Sequence, residues 1–300
     1  MKIISDNLRG ALLMMGAMCA YTINDAFMKG LAGEVPLFQA ILVRGLGAAV
    51  CLAVMCHVMG QLRFDLSPRD WWLVILRTAG EVAGTYFFLT ALMNMPIANI
   101  SAIMQALPLA VSLAAAVFLG EALGWRRLVA ICVGFAGVLL IIQPGGADFN
   151  SFSIYALITV ACVTLRDLVV RRMSRNVPAV FVALVAAVGV MSLGAIGSLF
   201  IELQPLTGQA GLKLAGATVF LSFGYIFSVT AMRSGEIGFV APFRYTSLLV
   251  ALLLGVIVFG EWPNLLTTLG ASIVVATGLF TLYRERQLRI RQRMVPDRFR

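Results

Sequence analysis

Charged residues are scarce in this chain of 300 residues. Asp, Glu, Lys and Arg make up 12% of it, whereas soluble domains carry about 25%. Hydrophobic residues make up 60%, and the mean hydropathy is +0.94. So few polar residues cannot cover the surface of a globule of this size in water, so apolar surface must face lipid. The composition predicts an integral membrane protein and excludes disordered, collagen-like and disulfide-stapled classes.

Histidine and cysteine are too few and too scattered for most metal chemistry. His57 is the single histidine, which excludes any site of paired imidazoles, including the zinc protease motif. The five cysteines lie in apolar runs without a close pair at metal-ligand spacing. We interpret them as small hydrophobic residues. We therefore expect no metal ion and no cofactor.

Ten apolar stretches are each long enough to cross a bilayer, which takes about 20 residues of helix. They lie at residues 8–31, 36–59, 71–93, 96–119, 126–143, 152–171, 178–201, 211–232, 238–259 and 264–283. The connections are short, and no polar stretch is long enough for a soluble domain. We predict an all-α membrane protein of ten transmembrane helices.

The 23 basic residues are unevenly distributed between the two sides of such a bundle. With both termini on one side, the opposite side holds only Lys29 and Lys213, and four arginines lie within spans. All the other basic residues fall on the side of the termini, seven of them in the tail 284–300. Because positive charge is retained in the cytoplasm, we predict an inner-membrane protein with both termini cytoplasmic.

The basic tail also bears on the partners of the protein. Its arginines follow the last span directly and suit the anionic headgroups of the lipid bilayer. With Phe299 as its single aromatic residue, the tail is a poor candidate for nucleic-acid binding, and we expect no nucleic-acid partner. The expected partners are the bilayer and a small-molecule substrate. Coupling to protons or to a counter-substrate is compatible with the sequence, and so is a homodimer.

The two halves of the chain resemble each other. An offset of 140 residues places Gly120–Glu121 on Gly260–Glu261. We assign the first repeat to residues 1–143 and the second to residues 152–283, followed by the tail 284–300. Because each repeat has five helices, an odd number, the second repeat enters the membrane from the opposite face. Inverted repeats are the structural basis of alternating access, so the pattern predicts transport.

Several motifs together resemble one family of membrane proteins. They are Asn24, Asp25 and Lys29 in the first helix, the two Gly-Glu pairs, and the run Ala241–Tyr245. Together they are similar to the drug/metabolite transporter superfamily, EamA family, over nearly the whole chain. Within it, bacterial carriers for S-adenosylmethionine are most similar, and those for riboflavin less clearly so. The resemblance implies a secondary transporter for a small polar metabolite that is S-adenosylmethionine-like, amino-acid-like or riboflavin-like.

Charged residues within the spans are the first candidates for substrate contacts, because an ionised side chain in lipid costs at least about 2.5–3.5 kcal/mol. Arg77 and Glu81 are one helical turn apart and suit an ion pair, which is either structural or part of the site. Arg44 and Arg244 have no charged counterpart in the other repeat. A substrate is asymmetric, so we predict that these two guanidinium groups bind an anionic or zwitterionic substrate.

Polar residues near these charges complete the predicted site. Hydrogen bonding or stacking with the substrate is one interpretation of them, and satisfied polar groups of the helix core are the alternative. These predicted substrate contacts are Asn24, Tyr86, Gln105, Arg166, Tyr225 and Tyr245.

Other residues are predicted to have mechanical roles. Two acid-base sets fall on equivalent positions of the repeats, and their symmetry suits gates or helix-end locks: Asp25 with Lys29, and Asp167 with Arg171. Two prolines each remove a backbone hydrogen bond within a span. Pro108 and Pro242 are therefore predicted hinges.

A membrane-embedded enzyme acting on a lipid or polyprenyl substrate is the alternative function. The single histidine, the lack of clustered carboxylates at metal-ligand spacing and the lack of a long loop argue against it. A pump driven by ATP within this chain is excluded because the sequence has no Walker A motif. We expect a transporter and not an enzyme.

Overall fold

The computed structural model describes residues 6–121, 124–146, 149–174, 176–234 and 237–294, and all the regular structure in these ranges is helical. Twelve α-helices and one 3₁₀ helix follow one another along them. The α-helices are α1 (Asp6–Lys29), α2 (Leu37–Val58), α3 (Pro68–Asn94), α4 (Ile97–Met104), α5 (Leu107–Leu119), α6 (Trp125–Ile142), α7 (Phe152–Arg172), α8 (Ala179–Ser198), α9 (Gly208–Ser234), α10 (Ile237–Val240), α11 (Thr246–Phe259) and α12 (Leu265–Met294), and the 3₁₀ helix is Ala241–Tyr245.

Nine helical segments of the described chain are long and apolar enough to cross a membrane. Two of them are composite, since α4 and α5 form one segment and the 3₁₀ helix and α11 form another. The tenth span is α3, whose 27 residues extend about 40 Å at 1.5 Å per residue. Arg77 and Glu81 make this helix less apolar than the others. The prediction of an all-α membrane protein with ten spans is confirmed.

Successive spans run in opposite directions, which gives the bundle two ends. We call the end where α1 begins the terminal face, because α12 also finishes there. The opposite end, where α1 ends and α12 begins, is the far face. Lys29 is the last residue of α1 at the far face, whereas Arg171 lies in the last turn of α7 at the terminal face.

The helices pack in pairs that respect the repeat symmetry. Helix α1 packs along α9, and their repeat counterparts α7 and α3 pack along each other. The pairs α2 with α8 and α6 with α12 each map onto themselves. Close contact within the second kind of pair relies on glycine, since a Cβ on Gly194 of α8 would overlap the backbone of Leu42 in α2. This cross-pairing of the halves confirms the inverted repeat.

Two spans are interrupted near the predicted hinges. The fourth span breaks between α4 and α5, and Pro108 is the second residue of α5. The N–H groups of the first helical turn have no acceptor within the helix, so a proline at this position costs no helical hydrogen bond. The ninth span opens with the 3₁₀ helix that contains Pro242. Both breaks lie in the repeat-equivalent part of the two halves, so the interruption belongs to the repeat and not to one span.

The last helix is longer than its predicted span. Helix α12 continues to Met294, well beyond residue 283. The residues that follow the apolar stretch are mainly Arg, Gln and Leu, which favour helix, and residues 284–295 contain no proline. The first part of the basic tail is therefore a continuation of α12.

Candidate functional site

Six ionisable side chains from α1, α2, α3 and α7 lie in the interior of the bundle. Three are arginines and three are carboxylates, so their formal charges balance. We call them the central cluster: Asp25, Arg44, Arg77, Glu81, Arg166 and Asp167.

Two arginines and two carboxylates of this cluster neutralise one another. Glu81 Oε2 lies 3.0 Å from Arg166 Nη1 and 3.5 Å from Arg77 Nη2. Arg166 Nη2 in turn lies 2.9 Å from Asp167 Oδ1. The pair of Arg77 and Glu81 expected from their spacing is present, but the closer partner of Glu81 comes from α7. This side of the cluster is an ion-pair chain with no unmatched charge.

Small residues of α3 allow α7 to bring Arg166 to Glu81. A Cβ on Gly80 would lie 3.2 Å from the Cys162 carbonyl oxygen and 3.4 Å from the Arg166 Cβ. The first distance is tighter than an ordinary contact and the second is at its limit, so a larger residue at this position would press against α7. The glycine one residue before Glu81 thus sets the reach of Arg166.

Arg44 is the poorly partnered member of the cluster. Its side chain is 9% exposed, and its Nε is buried without a hydrogen-bond partner. Its Nη1 donates a long hydrogen bond of 3.4 Å to Asn24 Oδ1. Within the described residues, no carboxylate oxygen lies within 4.0 Å of its guanidinium. Tyr225, Asp25 and Glu81 are its electrostatic neighbours at longer range.

Asn24 connects Arg44 to the third carboxylate. Its side chain is 2% exposed, and its Nδ2 donates to Asp25 Oδ1 at 2.9 Å. One amide therefore accepts from Arg44 and donates to Asp25. The two opposite charges are held close together without forming an ion pair.

A tyrosine pair lies beside this part of the cluster. The rings of Tyr225 in α9 and Tyr21 in α1 meet edge to face, with centroids 5.9 Å apart. Tyr21 also lies close to Ser228 and in electrostatic range of Arg244. Tyr21 was not predicted, although it precedes Asp25 by one turn on the same face of α1, a spacing that would have identified it.

Three of the remaining predicted contacts form a separate group at the helix breaks. Gln105 Nε2 donates to Ser247 Oγ at 2.7 Å, and the buried Tyr245 hydroxyl has no hydrogen-bond partner. Arg244 in the 3₁₀ helix is exposed, and it interacts electrostatically with Tyr245. Tyr86 lies apart from both groups, stacked on Phe38 with centroids 5.8 Å apart.

The ion pairs at the two faces have different partners from those that the sequence suggested. At the far face, Lys29 Nζ lies 2.9 Å from Glu261 Oε1, and at the terminal face, Arg171 Nη1 lies 2.8 Å from Glu121 Oε1. The expected pairings of Lys29 with Asp25 and of Arg171 with Asp167 are wrong, because Asp25 accepts from its neighbour Asn24 and Asp167 pairs with its neighbour Arg166. The new partners are the glutamates of the two Gly-Glu pairs. The inverted symmetry relates the two ion pairs to each other.

The far-face ion pair is more buried than the terminal-face pair and makes additional hydrogen bonds to the backbone. Lys29 Nζ also donates to the Met95 carbonyl oxygen at 2.6 Å, and Glu261 Oε2 accepts from the Ile97 N–H at 2.9 Å. Lys29 and Glu261 are 10% and 23% exposed, against 43% and 51% for Arg171 and Glu121. The far-face ion pair is therefore shielded from solvent better than the terminal-face pair.

A recess of about 560 Å³ opens on the far face, between the α1–α2 loop and the end of α3. Its lining includes Glu34, Asn94 and Gln204 and no member of the central cluster.

A helical bundle of two inverted repeats around a charged centre is the architecture of a membrane transporter. The chain belongs to the EamA-like transporter family, whose sequence model matches residues 8–143 and 150–283. The expectation drawn from the sequence motifs is confirmed. The protein is a multi-pass membrane protein of a transporter family.

Several known proteins are similar to the chain over most of its length. An S-adenosylmethionine uptake transporter of Rickettsia felis is 23% identical over 88% of this chain and 89% of that protein. A riboflavin transporter of Vibrio cholerae is 26% identical over 98% and 100%, and a pseudopaline exporter of Pseudomonas aeruginosa 25% identical over 89% and 93%. A solved crystal structure superposes with a TM-score of 0.65 at 19% identity, covering 93% and 98% of the two chains, which shows the fold.

Proposed function

We propose that the protein is a secondary carrier that moves a small polar metabolite, zwitterionic or anionic, across the inner membrane by alternating access. Both termini lie in the cytoplasm, as the distribution of basic residues indicates. The observation that carries the proposal is Arg44, a buried arginine without a carboxylate partner at the centre of the bundle. The enzyme alternative has no comparable observation in its favour.

A buried guanidinium without a counter-ion is unfavourable in a fold that has no use for it. Removing a charge from water costs several kcal/mol unless a partner compensates. Arg77 and Arg166 have such partners, and the repeat counterpart of Arg44 is the buried Ala186, so packing at this position does not require a charge. A substrate anion is the compensating group that a carrier supplies. Bidentate donors make arginine well suited to a carboxylate.

Alternating access is supported by the two ion pairs at the faces. Each joins the two repeats, since Lys29 meets Glu261 and Glu121 meets Arg171. Opening one face of the bundle requires its ion pair to separate while the equivalent pair holds the other face closed. The breaks at Pro108 and Pro242 supply places where the fourth and ninth spans can bend. These four charged residues and the two prolines are the proposed gating residues.

The relatives agree on the kind of cargo more than on its identity. They are named for S-adenosylmethionine, riboflavin and pseudopaline, and one of the three is named an exporter. These names support a small metabolite as substrate. Gln105, Arg244 and Tyr245 at the helix breaks, with Tyr225 and Tyr21 beside the cluster, are the proposed contacts for the rest of the substrate.

Flux into proteoliposomes tests the proposal. Purified protein is reconstituted, and uptake of labelled S-adenosylmethionine, riboflavin and amino acids is measured with and without a counter-substrate inside and with and without a pH gradient. We expect saturable uptake of at least one solute, and a loss of about tenfold or more in apparent affinity for Arg44→Gln, because a charged hydrogen bond is removed. Arg172→Gln is the matched control, since this exposed arginine lies at the terminal face. Full uptake by Arg44→Gln would refute the assignment of the site.

A further inference from the structure

The amide of Asn24 bridges two side chains of opposite charge. Its oxygen accepts from Arg44, and its nitrogen donates to Asp25. The carboxylate and the ammonium of an α-amino acid, joined through one carbon, present the same pattern of acceptor and donor to the same two side chains. We infer that the site recognises an α-amino acid group, with its carboxylate at Arg44 and its ammonium at Asp25.

Both side chains keep capacity for a ligand. Arg44 retains a buried Nε without a partner. Asp25 receives one hydrogen bond, from the Asn24 amide, and its side chain remains partly accessible while no cation lies within 4.0 Å of it in the described chain. A guanidinium with a spare donor and a carboxylate with a spare acceptor thus lie next to each other.

The second repeat contains an equivalent carboxylate that already has a cationic partner. Asp167 occupies the position equivalent to Asp25, and the residue before it is Arg166, which bonds to it at 2.9 Å. In the first repeat, the neutral Asn24 stands in place of that arginine. Of these two equivalent carboxylates, Asp167 is therefore neutralised within the protein, whereas Asp25 is left for another cation.

Other ligand chemistries fit this arrangement less well. A simple anion at Arg44 would lie beside the Asp25 carboxylate and be repelled by it, and a simple cation at Asp25 would be repelled by Arg44. A neutral heteroaromatic molecule would leave both charges unpaired. A free α-amino group together with a free α-carboxylate satisfies both, so the substrate class is an amino acid or a derivative that keeps both groups.

This inference rests on the proposed function, and the wild-type protein tests the two separately. Four ligand sets are compared by thermal stabilisation of the purified protein and by flux: the proteinogenic amino acids with S-adenosylmethionine, their N-acetyl derivatives, their methyl esters, and riboflavin. Stabilisation and flux with the first set alone support the inference. Flux of riboflavin alone, or equal flux of free and N-acetylated solutes, would overturn it and leave the carrier intact. No flux in any set would refute the proposed function itself.

Variants then assign the two groups of the ligand. Asp25→Asn is expected to reduce the preference for a free amino group over its N-acetyl derivative by about tenfold, as expected for the loss of one charged hydrogen bond. Asp167→Asn, the repeat-equivalent change, should leave that ratio unchanged whatever it does to the rate. An unchanged ratio in Asp25→Asn, or the same change in both variants, would overturn the assignment. The ratio is read on the folded fraction, so a loss of yield does not affect it.

Discussion

Replacing Glu261 with Gln is expected to open the far face of the transporter. The carboxylate holds Lys29 at 2.9 Å and the Ile97 N–H at 2.9 Å, and it is only 23% exposed. Glutamine can still accept from the N–H but loses the ion pair. Charge-assisted hydrogen bonds of partly buried groups contribute about 1.5–3 kcal/mol, which is about a tenfold to hundredfold change in the equilibrium between closed and open states. Glu121→Gln removes the exposed equivalent, where an ion pair contributes about 0–1 kcal/mol.

The distance between two spin labels at the far face measures this change. The five cysteines are first replaced, and labels are attached at Ala32 in the α1–α2 loop and at Trp262 before α12, both exposed. Glu261→Gln should shift the distance distribution to longer values, whereas Glu121→Gln should leave it close to that of the parent. An unchanged distribution in Glu261→Gln would refute the role of this ion pair. Equal shifts in the two variants would refute the unequal strengths inferred from burial.

Three further predictions concern the cluster, the helix break and the topology. Glu81→Gln should destabilise the protein by about 3–5 kcal/mol, because it leaves two interior arginines without their shared partner. Arg77→Gln should destabilise it by less. Equal losses of stability in thermal unfolding would contradict the ion-pair chain. Arg244→Lys should keep the melting temperature near that of the parent, while substrate affinity falls by about 1–3 kcal/mol, because the charge remains and the bidentate geometry is lost. Normal substrate affinity in this variant would remove Arg244 from the site. Reporter fusions after residue 148 should read periplasmic and those at residue 300 cytoplasmic, and the same side for both would refute the predicted orientation.

The span count and the inversion could be predicted because they depend on local properties. Apolar length decides whether a helix crosses the bilayer, and the odd number of helices in each half decides that the second half is inverted. The Gly-Glu pairs marked equivalent helix ends for the same reason: Gly120 and Gly260 both adopt a positive φ that ends a helix, with values of 69° and 65°.

The partners of the charged residues could be predicted only where both lie on one helix. Arg77 and Glu81 are one turn apart, so their contact follows from helical geometry alone. The closer contact of Glu81 with Arg166 depends on how α3 and α7 are rotated and how near they approach at Gly80. Spacing in the sequence carries no information on either quantity.

The same limit explains the face ion pairs and the amide of Asn24. The sequence determined that Lys29 lies at the end of the first helix and that Asp25 lies one turn deeper, which made them natural partners. Tertiary structure decided otherwise, because the crossing of the two repeats brings Glu261 to Lys29 and turns Asp25 towards Asn24 and Arg44. Which charge meets which is fixed by packing between segments far apart in the chain, and a chain with the same hydropathy and the same repeat could pair them differently.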